Sequence, residues 1–318
     1  MGSRRPIRTP AASTFERRVQ VIRAQVEERL ATLVPAEVEP PQQLHKAIRY
    51  SLLAPGKRIR PLVAILAAEQ LGGDPDLATD PACAIEMVHT ASLILDDLPA
   101  MDDATLRRGR PANHIVFGES TALLAAMALL NHAFAVVTAA PGLADALRVQ
   151  LVELLSRCIG SKGIIAGQEH DLRADWKHSD HQRLERMHAQ KTGALFVASA
   201  EAGARIAGIP DERLDAVRRF ASNLGLAFQT LDDLLDCSST ETDAGKNVGM
   251  DTDKPTFVRY IGPERARVRA QSLIEAAVDA LASLGARGEA LAELAHNFAA
   301  SSPARAAVEQ SAAAQTAP

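Results

Sequence analysis

Apolar residues recur at three- and four-residue spacing through almost every segment of the chain, and β-branched residues seldom alternate with polar ones. The pattern predicts an all-α protein. Gly and Pro punctuation at PAEVEPPQQ (35–43), APGKRIRP (54–61), GGDPD (72–76), RRGRP (107–111), AAPG (139–142) and AGIPDE (207–212) divides the chain into helix-sized intervals. Helices are expected over 14–33, 42–53, 60–71, 79–98, 119–138, 143–172, 180–206, 211–237, 263–284 and 287–299. ALLAAMALLNHAFAVV (122–137) and ALFVASAEAGARIAG (194–208) are apolar almost all round and are expected as central bundle helices buried on most faces. One core implies a single domain over 14–300. It is flanked by a flexible N-terminus, 1–13, and by a stretch, 301–318, whose periodicity lapses and which is expected to be a disordered tail.

Composition narrows the function classes. At 318 residues and 47% hydrophobic the chain can bury a sizeable core, and a net charge of −4 supplies no overall basic field for nucleic acid. Cys83, Cys158 and Cys237 are odd in number and widely spaced, which suits buried reduced thiols and a cytoplasmic compartment better than a disulfide frame or a zinc site. The first fourteen residues lack an apolar core, and no run of about 18 uninterrupted apolar residues follows, so no membrane span is expected.

The chemistry concentrates in charge clusters. Asp96, Asp97, Asp102 and Asp103 follow the apolar run AIEMVHTASLIL, and carboxylates at a helix C-terminus oppose the macrodipole by roughly 0.3–1 kcal/mol each, so a cation is expected to compensate. Pro99 breaks the helix, which brings Asp102 and Asp103 back on a tight loop. A second cluster, FQTLDDLLD (228–236), sets Asp232, Asp233 and Asp236 along one helix edge. One such pair is as readily a solvated helix end, but two matched clusters of hard oxygen donors suit Mg2+ carried with substrate phosphates, and the first lacks the loop glycine and distal Glu of a calcium-binding EF-hand. GKRIR (56–60) and LRRGR (106–110) supply the matching cations beside glycine, and QKTG (190–193) and GKNVGMDTDKP (245–255) add Lys191, Lys246 and Lys254.

These motifs resemble, over roughly residues 40–260, the trans-isoprenyl diphosphate synthases, or polyprenyl synthetases. DDLPAMD is similar to that family's first aspartate-rich motif with four intervening residues and DDLLD to its second, while GKRIRP, LRRGRP, GQEHD, KTG and GKNVGMDTDKPTFV fall in family order. The segment HTASLILDDLPAMDDATLRRGRP is especially similar to bacterial carotenoid-type geranylgeranyl diphosphate synthases. The resemblance implies a large helical bundle of the isoprenoid synthase type with a central apolar cavity, acting as a homodimer. It also implies Mg2+-dependent condensation of isopentenyl diphosphate with dimethylallyl, geranyl or farnesyl diphosphate, with three Mg2+ per active site once substrate is bound.

Residue by residue, the resemblance implies that Asp96, Asp97, Asp102 and Asp232, with Asp233 and Asp236 more distantly, hold Mg2+ on the allylic diphosphate. Arg107, Lys191 and Lys246 would contact that group, with Lys254 in the same segment as Lys246. Lys57, Arg58, His89 and Arg108 would bind isopentenyl diphosphate, Thr192 and Gln229 would line the reacting centre, and Asp171 would give structural support. No side-chain nucleophile is needed, because departure of diphosphate creates a carbocation that the second substrate's double bond attacks, and the released diphosphate takes the proton. Ala91 and Ser92, about one turn below Asp96, are small where farnesyl-making relatives commonly carry an aromatic, which favours a C20 product. Leu123, Leu124 or Met127 could form a further floor, although core packing is the simpler reading. A farnesyl or geranyl product, a class I terpene cyclase and a non-catalytic synthase subunit stand as alternatives. GKRIRP and LRRGRP argue against the cyclase, and the intact aspartates argue against the inactive subunit.

Overall fold

A computed structural model describes residues 13–173, 181–238 and 256–300 of the chain. Apart from Ser13, the expected flexible N-terminus lies outside the described residues, as do the expected tail 301–318, Lys246, Lys254 and the side chains of Asp236 and Cys237. The fold is all-α: α1 (Thr14–Leu33), α2 (Gln42–Leu52), α3 (Ile59–Gln70), α4 (Pro75–Asp96), α5 (Asn113–Phe117), α6 (Glu119–Ala139), α7 (Asp145–Ile159), α8 (Ile164–Arg173), α9 (His181–His188), α10 (Ala194–Ile206), α11 (Asp211–Ser238), α12 (Phe257–Ile261), α13 (Pro263–Ala280) and α14 (Glu289–Ala300).

The caps follow the letters. Ser13 accepts from the Glu16 amide while Glu16 reaches back to the Ser13 amide, a capping box that starts α1 where the periodicity begins. Asp74 caps α4 with Pro75 in its first position, so α4 opens four residues before the expected boundary and carries Pro81 in its interior. At the centre, α3 buries every residue from Ile59 to Ala68. Small side chains on both sides, Ala64, Ala67 and Ala68 facing the Ala-rich α10, let α3, α4 and α10 approach closely within one hydrophobic core.

Four expectations are corrected. The helix expected over 143–172 is two, because GSKG (160–163) ends α7 at Cys158–Ile159 and a new helix starts at Ile164. The helix expected over 180–206 is interrupted by a π-helical turn at Ala189–Gly193. That expected over 263–284 ends at Ala280 and continues as a 3-10 turn, Ala282–Gly288. Finally, α6 is not buried on most faces. Ala122, Ala125, Ala126, Leu129 and Ala133 pack into the core, whereas Leu123, Leu124 and Met127 are exposed and join Ile115 and Val116 of α5 in an apolar outer face. Neither the floor nor the core reading of those three residues survives. Among the described residues α6 is the one helix long and apolar enough to cross a membrane by length and composition.

The one sheet among the described residues is a hairpin between α4 and α5, pairing Leu106 with Pro111 and Arg107 with Arg110. Its two turn residues, Arg108 (φ 52°) and Gly109 (φ 72°), are both left-handed, which is the type I′ geometry that suits the twist of a two-residue hairpin.

Candidate active site

Two acidic helix ends and two sets of cations meet at one end of the bundle. At the C-terminus of α4, Asp96 is half-buried and Asp97 buried. The chain turns back so that the Asp102 amide donates to the Asp96 carbonyl at 2.9 Å and the Asp103 amide to the Leu98 carbonyl at 3.1 Å, which is the expected return of the loop. Burial raises the Asp96 carboxyl to about 6; Lys191 and Arg107 pull it down, while Asp102 and Asp97 push it further up. A carboxyl whose charge is so disfavoured is one that a cation would stabilise.

Lys191 supplies the nearest fixed positive charge. Its Nζ donates to Asp171 Oδ2 at 2.7 Å. Burial opposes its charge, but Asp96, Asp171 and Asp102 outweigh burial and hold its pKa above the ordinary lysine value. The π turn explains the placement, since it puts Lys191 and Thr192 on an irregular step between α9 and α10. Gly167 of α8 makes room for that step, because a Cβ there would lie 2.4 Å from the Lys191 amide nitrogen. Asp171, in GQEHD, is thus the partner of the lysine, a supporting role of the kind expected for it.

Thr192 links this lysine to the second acidic motif. Its hydroxyl donates to Gln229 Oε1 at 2.8 Å, Gln229 Nε2 donates to Asp233 Oδ1 at 2.9 Å, and Asp233 Oδ2 accepts from the Phe257 amide at 3.3 Å. Asp233 is buried and holds Gln229 and the start of α12. Asp232, its neighbour on α11, is half-buried and lies near enough to Arg60 to help raise that guanidinium's pKa.

The hairpin supplies the remaining cations. Arg107 donates its Nε to Asp97 Oδ1 at 2.9 Å, and its Nη2 makes a second, shorter bond to the same oxygen, so Asp97 is first of all the counter-ion of Arg107. Arg108 points to the other side, towards the loop before α3. Burial, followed by Arg60, Arg108, Arg107 and Arg58, pushes the His89 imidazole well below its ordinary value, so His89 is a neutral hydrogen-bonding group at pH 7. Lys57 is exposed on the same loop.

Arg58 does not reach this mouth. Its side chain has no solvent exposure, and its donors are spent on Glu27, Glu86 and the carbonyls of Leu52 and Ala54. The residue that sequence reasoning passed over is Arg60. Its Nε is buried without a protein partner, its guanidinium stacks 5.1 Å from the Phe196 ring centroid, and burial lowers its pKa to about 10. The signal was there: Arg60 is the one charge in the first ten residues of α3, and an arginine on an otherwise apolar helix needs an anion. On α4, Ala91 is fully buried, whereas Ser92 is half-buried, with its hydroxyl donating to the His89 carbonyl at 2.9 Å. Ser92 stands one turn beneath Asp96.

The acidic set offers oxygen donors alone, which fits Mg2+. Among the described residues no three such groups form a ready-made cage. A helical bundle with two acidic segments beside arginines and a buried lysine has the fold of the isoprenoid synthase class. The chain belongs to the polyprenyl synthetase family, whose profile matches residues 41–283. It is 43% identical over 276 residues to geranylgeranyl pyrophosphate synthase 11, chloroplastic, of Arabidopsis thaliana, covering 85% of this chain and 77% of that one. It is 43% identical over 249 residues to the chloroplastic geranylgeranyl pyrophosphate synthase of Catharanthus roseus, covering 77% and 70%. Among solved structures, the geranyltransferase of Helicobacter pylori complexed with magnesium and isoprenyl diphosphate superposes with a TM-score of 0.81 at 32% identity, over 91% of this chain and 99% of that one. The apo FPP/GFPP synthase of Zymomonas mobilis superposes with a TM-score of 0.79 at 32% identity, over 90% and 98%.

Proposed function

We propose that this prenyltransferase condenses isopentenyl diphosphate with an allylic diphosphate to give geranylgeranyl diphosphate, and that it does so with Mg2+. The observation that carries the reading is the division of cations around one mouth. Lys191 and Arg107 lie with the aspartates of α4, while Arg60, Arg108 and Lys57 lie with His89 on the opposite side of the hairpin. Two anionic groups can then be held side by side without sharing a cation. Bound Mg2+ would be held by Asp96, Asp102 and Asp232, where it would neutralise the charge that develops on a departing diphosphate.

The chain's own residues do the rest. Lys191 and Arg107 hold the allylic diphosphate while its bond to C1 breaks. The carboxamide of Gln229 and the hydroxyl of Thr192, fixed by their mutual hydrogen bond, line the reacting carbon without offering it a nucleophile. The second group keeps isopentenyl diphosphate where its double bond attacks C1. A carbon–carbon bond forms, a proton leaves for the released diphosphate, and the apolar faces of α3, α4 and α10 exclude water from the cation. The small Ala91 and Ser92, with 42–45% identity to several relatives named geranylgeranyl pyrophosphate synthases, favour C20 over a farnesyl or geranyl product. The carotenoid-type affiliation rests on the resemblance of residues 89–111. A homodimer is supported by the exposed apolar face of α5 and α6, which reads as a seat for a second copy and not as a membrane span. Cytoplasmic localisation is supported by the buried free thiols of Cys83 and Cys158, both raised well above the ordinary value by burial.

The test is incubation with Mg2+, isopentenyl diphosphate and each of dimethylallyl, geranyl and farnesyl diphosphates, followed by measurement of product length. Elongation to C20 from all three is expected. No elongation from any of them overturns the reading, and arrest at C15 overturns the C20 assignment alone.

A further inference from the structure

Arg58 and Arg108 are both non-glycine residues in the left-handed region, at φ 49° and 52°. A bulky residue there is strained, so the surroundings must impose the conformation. For Arg58 the cause is plain. Its guanidinium takes Glu27 at 2.6 and 3.0 Å, Glu86 Oε1 at 2.8 Å, and the carbonyls of Leu52 and Ala54 at 2.9 Å each. Glu86 is only 2% exposed, so that side of the brace is buried, while Glu27 closes it from the partly exposed side.

Arg108 rests on the same two oxygens that Arg58 holds. Its Nη1 lies 3.5 Å from the Ala54 carbonyl and its Nη2 4.0 Å from Glu86 Oε1. The third side of the seat is Gly56. A Cβ on that residue would stand 3.2 Å from both Cζ and Nη1 of Arg108, closer than nine in ten real Cβ contacts. The backbone of Gly56 is not left-handed, so glycine is not needed there for its φ; its missing side chain is what matters. The two oxygens hold Arg108 only loosely, which leaves donors for an anion, and burial lowers its pKa as it does that of Arg60.

We propose that Gly56 is a positioning residue for the second substrate: it provides the bare surface on which the Arg108 guanidinium lies, and buried Arg58 fixes the two oxygens that complete the seat. The proposal rests on the two-substrate reading above. It predicts that a single methyl group at residue 56 displaces Arg108 from isopentenyl diphosphate and leaves the allylic side untouched.

The experiment compares wild type, Gly56→Ala, Arg108→Lys and the double variant in steady-state kinetics with Mg2+, varying each substrate in turn, with thermal unfolding of each protein. In Gly56→Ala the guanidinium must give by a few tenths of an ångström, so KM for isopentenyl diphosphate should rise about threefold, while kcat, the allylic KM and Tm stay near wild type. In the double variant the two increases should fail to multiply, because a lysine lacks the planar group that the methyl displaces. An unchanged KM for isopentenyl diphosphate in Gly56→Ala overturns the proposal, as do effects that multiply in full, a kcat loss with both KM values moved, or a Gly56→Ala that does not fold. A wild-type protein that elongates nothing refutes the two-substrate reading instead.

Discussion

Arg58 and Arg60 stand two letters apart in GKRIR and have opposite fates. Sequence spacing alone could not separate them, because the left-handed cap at Arg58 turns its side chain into the protein before the helical period of α3 begins. Each aspartate had to be judged in the same way. Asp96 and Asp102 stand where the letters suggested; Asp97 pairs with Arg107 across the loop, which no spacing rule reveals, whereas Asp233 accepts from Gln229 as an i,i+4 pair on α11. At this scale the chain-length reading is directly testable. Ser92 shares the Asp96 face and is half-buried, so Ser92→Phe should place a ring in the path of the product and shorten it from C20 towards C15. Ala91→Phe should shorten it too, with a loss of about 1–3 kcal/mol in stability because its site is already filled, seen as a lower Tm. An unchanged product profile in both variants would remove this part of α4 from the wall.

Whole helices were the most legible elements. The expected bounds of α1, α2, α6 and α11 agree with the structure to within a residue, because punctuation and apolar period coincide there, with a capping box as well at α1. Interruptions were not legible. The π turn at 189–193 has no composition of its own and is stabilised by what surrounds it, Asp171 on one side and Gln229 on the other. How elements are joined was equally hidden. Glu201 of α10, 1% exposed, takes Arg157 of α7, Arg205 of its own helix and Arg218 of α11, the last through bonds of 2.8 and 2.9 Å. Burial would raise its carboxyl, but Arg218 and Arg205 outweigh burial and hold it below the ordinary glutamate value. A carboxyl depressed in the folded state adds stability above its unfolded pKa and loses it as pH falls through the folded one. Glu201→Gln should therefore lower stability at pH 7 by about 1–3 kcal/mol, less than for a fully buried pair because the arginines stay partly solvated. The gap in Tm between the two proteins should narrow as pH falls from 4.5, the ordinary glutamate value, through the lower folded one. A gap that does not narrow at all on acidification would show that packing and not charge joins the three helices.

At the scale of the molecule, one core dominates among the described residues, with two small clusters where α12 docks. The misjudged element is α6, whose apolar outer face was read as interior because a sequence cannot say whether a hydrophobic stripe meets its own chain or another. If that face seats a second copy, sedimentation should give twice the 33.9 kDa chain mass. Leu124→Glu with Met127→Glu, at sites 55% and 58% exposed, should then shift the protein to monomer without unfolding it. A wild-type monomer would leave the patch without that role.

The hairpin at 106–111 carries one more implication. Arg107 and Arg108 are successive residues, their Cα atoms about 3.8 Å apart, and the turn sends one side chain towards Asp97 and the next towards Gly56. The two substrates would thus be gauged against each other by a single peptide unit, as by the jaws of a fixed caliper. Their separation would then be a property of covalent geometry, set once when the chain folds and the same for every round of elongation, however long the tail has grown.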